Sequence, residues 1–232
     1  MESTASYNRS AYQQYPYLTQ EEFAETCHLL DSRYCRATLG PLRKQWRLNV
    51  HTALNMSFAA ADSDFVTYLQ ITRPLDENAV DDELASQLDT FSLGGRAQED
   101  HAGDDSLMEA DAMMIEMEDA DKIHLHPTYR TPCLWFSLHN LPAGEPALDI
   151  ETVFRRLVPD QFKDSLRSPG GIGGISADHH PVTGVPSFFV HPCMLGDAMA
   201  HFDCPKEDYL MAWLGLVGGP VGLWVPREIA MT

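Results

Sequence analysis

Lysine is scarce in this chain: four among 232 residues, at Lys44, Lys122, Lys163 and Lys206, against twelve arginines. No run of about 18 apolar residues occurs, so no membrane-spanning helix and no stable membrane insertion are expected. The five cysteines are odd in number and form no Cys-x-x-Cys pair. Reduced thiols are therefore expected in place of a disulfide framework or a zinc ribbon. Met1-Glu2-Ser3-Thr4-Ala5 lacks the basic-then-apolar order of a secretion signal, and the expected location is cytoplasmic. A basic stripe is missing as well. The formal net charge is −18, and residues 76–121 hold 16 of the 34 acids with one base, Arg96. The remaining 186 residues are nearly neutral, with 18 acids and 15 bases. Such a surface repels a phosphate backbone, which excludes nucleic acid as a partner.

What is present suffices for one core, since 44% of the residues are apolar. Residues 1–16 are polar and read as a flexible leader, with one domain from 17 to 228. Thr19 and Glu22 have capping-box spacing, and Leu18 can staple onto Phe23. Phe23, Cys27, Leu30 and Tyr34 recur on one helical face until Gly40-Pro41. Strands are predicted around Trp46–Val50, Phe65–Ile71, Ile123–Leu125, Leu134–Leu138 and Val185–Val190, with a reversal at Tyr129–Pro132. The acidic stretch 76–121 reads as a disordered insertion: a solvated loop, or a docking tail for a basic surface. A second helix is predicted over about 150–158, with Asp149 as its cap. The last helix is predicted to start near Pro205 and bury Tyr209, Leu210, Trp213, Leu214 and Val217. The order of elements gives an α+β fold with a mostly antiparallel sheet.

Three groups of residues invite chemistry. Gly170-Gly171-Ile172-Gly173-Gly174 lacks the Lys-Ser/Thr of a phosphate-binding loop and reads as a connector. His179, His180, His191, Cys193, His201 and Cys204 lie close in sequence, but their spacings match no common zinc pattern, so no metal is expected. His124 and His126 would share one strand face and read as surface or satisfied core. Cys27 and Cys133 read as inert core thiols, while Cys35 and Cys204 sit near helix ends. Cys193 differs. It follows an apolar strand closed by His191-Pro192, which places a thiol at the rim of the sheet with an imidazole two residues away. Such an imidazole can lower a thiol pKa or act as base or donor.

Residues 183–193, Thr-Gly-Val-Pro-Ser-Phe-Phe-Val-His-Pro-Cys, resemble the active-site segment of the autophagy E2-like conjugating enzymes. Tyr129-Arg130-Thr131-Pro132-Cys133-Leu134-Trp135-Phe136 resembles the family's Tyr-x-x-Pro-x-Leu-aromatic strand, and Tyr209–Leu223 its C-terminal signature. The three segments lie in the family's order over about 122–225. The Trp-Leu…Pro-Val-Gly-Leu ending favours the branch that modifies a protein over the sister branch that modifies a lipid amine. The helix at Thr19, acidic at its start, also makes a poor membrane surface.

The resemblance implies an E2-like fold with a four-stranded, mostly antiparallel sheet flanked by helices. It implies a transferase with no cofactor. An activating enzyme, autophagy-related protein seven, would pass a ubiquitin-like modifier, autophagy-related protein twelve, to Cys193 as a thioester. A lysine of autophagy-related protein five would then accept it as an isopeptide. Ordinary ubiquitin-conjugating enzymes use the asparagine of His-Pro-Asn, absent here, which leaves His191 and Tyr129 as possible assisting residues. Two other classes stay open, a non-catalytic binding module of the same fold and a cysteine hydrolase. A papain-like hydrolase would need its cysteine at a helix N-terminus.

Overall fold

The computed structural model describes residues 9–54, 65–73, 120–139, 141–167 and 174–232. All belong to one compact unit; the other unit, Asp76–Met117, lies outside them, as does all of the acidic stretch except Ala120 and Asp121. The first long helix, α1 (Gln20–Arg36), starts where its cap chemistry dictates. The Glu22 N–H donates to Thr19 Oγ1 and the Thr19 N–H to Glu22 Oε2, closing a reciprocal capping box. Its face Phe23, Cys27, Leu30, Tyr34 is buried, and it ends at Arg36, ahead of the Gly40-Pro41 signal. A one-turn helix α2 (Leu42–Gln45) then leads into the sheet.

The sheet has six strands, two more than the four expected: β1 (Arg47–Leu54), β2 (Phe65–Thr72), β3 (Ala120–Leu125), β4 (Pro132–Phe136), β5 (Ile175–His179) and β6 (Pro186–Val190). Their spatial order is β1-β2-β3-β4-β6-β5, antiparallel throughout. β5 is the strand the sequence hides. Its Ile175-Ser-Ala-Asp-His179 has one large apolar residue and lies at a sheet edge, where none of its residues is fully buried and no apolar alternation is required. Leu48, Leu69, Ile71, Ile123, Leu134, Phe136, Phe188 and Val190 line the core face, where α1 and the last long helix, α6 (Lys206–Val217), pack. Between β4 and β5 run α3 (Ile150–Arg156) and α4 (Asp160–Arg167); Pro159 divides what the periodicity joins only to residue 158. Asp149 stands at the α3 cap position without a side-chain bond. All five residues predicted for the last helix are buried, and Pro205 is its cap residue.

Two features change the sequence reading. Asp121, which charge alone groups with the acidic stretch, is a buried β3 residue whose Oδ2 accepts from Arg73 Nε at 3.0 Å. The same guanidinium donates to the carbonyls of Val221 and Gly222 at 3.0 and 2.9 Å. Within residues 9–16, part of the expected leader, Tyr12 and Pro16 are buried while most of the others are exposed. Tyr12 is buried in the core, and Tyr12 and Tyr15 form ring contacts with Tyr209.

Candidate active site

Cys193 is exposed in a 3-10 turn, Pro192–Met194, that joins β6 to a short helix the sequence did not signal, α5 (Leu195–Ala200). Pro192 cannot continue the sheet ladder, so the chain leaves the strand here. The turn is capped by the residue before it, since the Cys193 N–H donates to His191 Nδ1 at 3.2 Å. A backbone N–H can only donate, so Nδ1 holds a lone pair and the neutral ring carries its proton on Nε2. The same bond engages the Cys193 N–H, which is therefore not free for a substrate oxygen.

Tyr129 reaches this site from the turn between β3 and β4, where the sequence predicts a reversal, and not from the strand that the resemblance implies. Its ring, 36% exposed, meets the His191 ring edge-on with centroids 5.7 Å apart. On its other side lies His126, 4.8 Å away, whose Nδ1 accepts the N–H groups of Thr128 and Tyr129 at 3.2 and 3.3 Å. The structure thus brings Cys193, His191 and Tyr129 to one end of the sheet and adds His126. Burial, and then the nearby His191, hold His126 below the usual histidine range. A readable signal existed. His126-Pro127, His180-Pro181 and His191-Pro192 each follow a strand, and in each the imidazole Nδ1 caps the turn that proline begins.

The other histidines and thiols go elsewhere. His180 Nδ1 accepts from Val182 and Thr183 N–H at 3.2 Å, so its Nε2–H donates to His124 Nε2 at 3.0 Å. His124 pairs across the sheet and not with His126. His201 Nδ1 bonds the Asp197 carbonyl, His179 lies beside Asp178, and Cys204 lies beside the Tyr15 hydroxyl. Cys27 and Cys133 are buried, and burial pushes the Cys133 thiol up to about 12 and that of Cys27 higher still. Cys35 and Cys193 are the exposed thiols.

Burial, helped by each other's proximity and by Lys122, lowers His124 to about 3; burial and Lys122 lower His180 to about 4. Unfolded, both rings titrate near 6.5. The unfolded chain therefore binds more protons below that value, and stability present above about pH 6.5 is lost as pH falls toward 4. The slope is up to about 1.4 kcal/mol per pH unit for each ring. Urea denaturation at pH 7 and pH 5 is expected to give a clearly lower midpoint at pH 5; equal midpoints would contradict the neutral pair.

The antiparallel sheet thus carries an exposed, turn-capped thiol directly after β6, the strand next to its β5 edge. Residues 22–228 match the family described as autophagocytosis-associated protein, active-site domain. The "Ubiquitin-like-conjugating enzyme ATG10" of Gibberella zeae is 52% identical over 235 residues, covering 94% of this chain and 97% of that protein. The chain belongs to this family of autophagy E2-like conjugating enzymes. Among the described residues no helix is long and apolar enough to cross a membrane.

Proposed function

We propose that Cys193 accepts a ubiquitin-like modifier, autophagy-related protein twelve, from the activating enzyme, autophagy-related protein seven, and transfers it to a lysine of autophagy-related protein five. The observation that carries this reading is the placement of the exposed Cys193 in the His191-capped turn. In the first step the Cys193 thiolate attacks the modifier's thioester carbonyl, and the activating enzyme's thiolate leaves. In the second a neutral lysine amine attacks the new thioester; the amide bond forms, the bond from carbonyl carbon to Cys193 Sγ breaks, and the proton lost by the amine nitrogen goes to solvent or to the released thiolate. Both steps pass through a tetrahedral oxyanion that needs donors. With the Cys193 N–H engaged, the Nε2–H of His191 and the Tyr129 hydroxyl are the donors we assign to it. His191 then shapes the nucleophile's turn and is not its base.

The helix start at Met194–Leu195 weakens the sequence argument against a hydrolase, because Cys193 does stand just before a helix. Family membership carries the case for conjugation in its place. The test is reconstitution with activating enzyme, ATP and modifier, followed by addition of the acceptor protein or of vesicles containing an amine headgroup. A reductant-resistant product on the acceptor lysine is expected. Product on the lipid amine alone would move the chain to the sister reaction, and cleavage of conjugates without ATP would make it a hydrolase.

A further inference from the structure

We propose that residues 9–18 brace the active site, with Tyr17 and Arg130 as positioning residues that set the nucleophile's turn against the Tyr129 turn; the proposal rests on the function above. The two halves of the site come from distant parts of the chain, β6–α5 and β3–β4. Both are bonded to these same ten residues.

On the nucleophile's side, α5 has only six residues, too few to be stable alone; the N–H groups of His201 and Phe202 reach the carbonyls of Ala198 and Met199, while that of Ala200 has no partner within the helix. The arm supplies partners. Arg9 Nη2 donates to the carbonyls of Ala200 and Phe202 at 3.0 and 3.1 Å. The Tyr15 hydroxyl lies 2.8 and 2.7 Å from the carbonyls of Met199 and Phe202 and shares its one proton between them. The Tyr12 hydroxyl donates to the Cys204 carbonyl at 3.2 Å. The Tyr17 ring lies against the backbone of Gly196, three residues after Cys193, so closely that a Cβ there would stand 2.8 Å from the ring. On the other side, the Leu18 N–H donates to the Arg130 carbonyl at 2.8 Å. Arg130 Nε donates back to the Leu18 carbonyl at 3.2 Å, and its Nη1 to Gln14 Oε1 at 2.9 Å. Arg130 holds a left-handed backbone, φ 52°, directly after Tyr129.

A displacement of about 1 Å between reacting groups can cost about a hundredfold in rate. The brace therefore acts on the discharge step, which needs thioester, donors and incoming amine in register, more than on thiol access. The test uses the full chain, loaded with modifier, in single-turnover discharge to the acceptor. Alkylation of Cys193 by iodoacetamide serves as the access control. Arg130→Gly adopts the positive φ without steric strain and removes the guanidinium tether. It is expected to slow discharge about tenfold or more with unchanged alkylation. Gly196→Ala is expected to slow discharge similarly, and Tyr17→Ala/Gly196→Ala to return to the rate of Tyr17→Ala alone. Arg130→Gly discharging at the wild-type rate would overturn the brace even if its melting temperature fell; so would a double variant slower than Tyr17→Ala alone. A wild-type chain that never loads would overturn the conjugating reading and the brace with it. Normal wild-type turnover with unaffected variants would overturn the brace alone.

Discussion

His191→Ala is expected to slow discharge of the Cys193 thioester about 10- to 100-fold, while His191→Asn stays within a few-fold of the native rate. The reason is the bond from the Cys193 N–H to His191 Nδ1. Asparagine bears an acceptor oxygen able to bond the amide two residues ahead, the same turn cap in another side chain. It also offers an N–H donor toward the oxyanion. Alanine offers neither and frees the turn that aims the thiol. Asparagine has no group that titrates near neutrality, so a His191 that served as general base would be lost equally in both variants. Measuring both by single-turnover discharge separates the roles: equal losses would assign proton transfer, and unequal losses assign positioning.

Arg73→Met is expected to cost about 3–5 kcal/mol of stability, more than any surface change, because it strands a charge. Asp121 is 4% exposed, within β3. Burial raises its pKa, and the charge of Arg73 and the bond it donates oppose that rise. With Arg73 gone, Asp121 protonates more readily on folding. A raised carboxyl contributes stability that is present at low pH and lost as pH rises through its folded pKa, so the deficit should shrink as pH falls. Arg73→Met/Asp121→Leu replaces the pair by apolar groups and is expected to recover more than half of the loss, the carbonyls of Val221 and Gly222 still lacking their donor. Urea denaturation of the three proteins checks both the size and the recovery. A single variant within 1 kcal/mol of wild type, roughly the level of an exposed pair, would show that this ion pair behaves as a surface one.

Much of the fold was legible because its signals are local. The Thr19–Glu22 box, the four-three-four spacing of Phe23 to Tyr34 and the apolar face of Tyr209 to Val217 each fix an element from residues within a few positions. The elements that escaped notice take their stability from elsewhere. β5 is held by its pairing with β6, and α5 by carbonyl bonds from an N-terminal arm nearly 190 residues away. The polar composition of that arm suggested a leader, but its tyrosines are anchors. Tyr12 and Tyr15 each join a ring packed on Tyr209 to a hydroxyl that bonds a backbone carbonyl. At the site, the placement of Cys193 and the nearness of Tyr129 to His191 follow the reading of the strands. Counting strand faces puts His126 beside His124 as surface or satisfied core, because it does not include the turn that Pro127 begins. Asp121 illustrates the converse. Its charge made it look like its acidic neighbours, although the partner that lets it be buried, Arg73, lies 48 positions earlier.

The most direct test of the account is to load wild type, Cys193→Ser and Cys35→Ser with the modifier, activating enzyme and ATP, and to treat each product with reductant. Cys35 is the necessary control, as the other exposed thiol. The account predicts a reductant-sensitive adduct on wild type and on Cys35→Ser, replaced on Cys193→Ser by a reductant-resistant ester. A reductant-sensitive adduct that survives in Cys193→Ser and disappears in Cys35→Ser would contradict it.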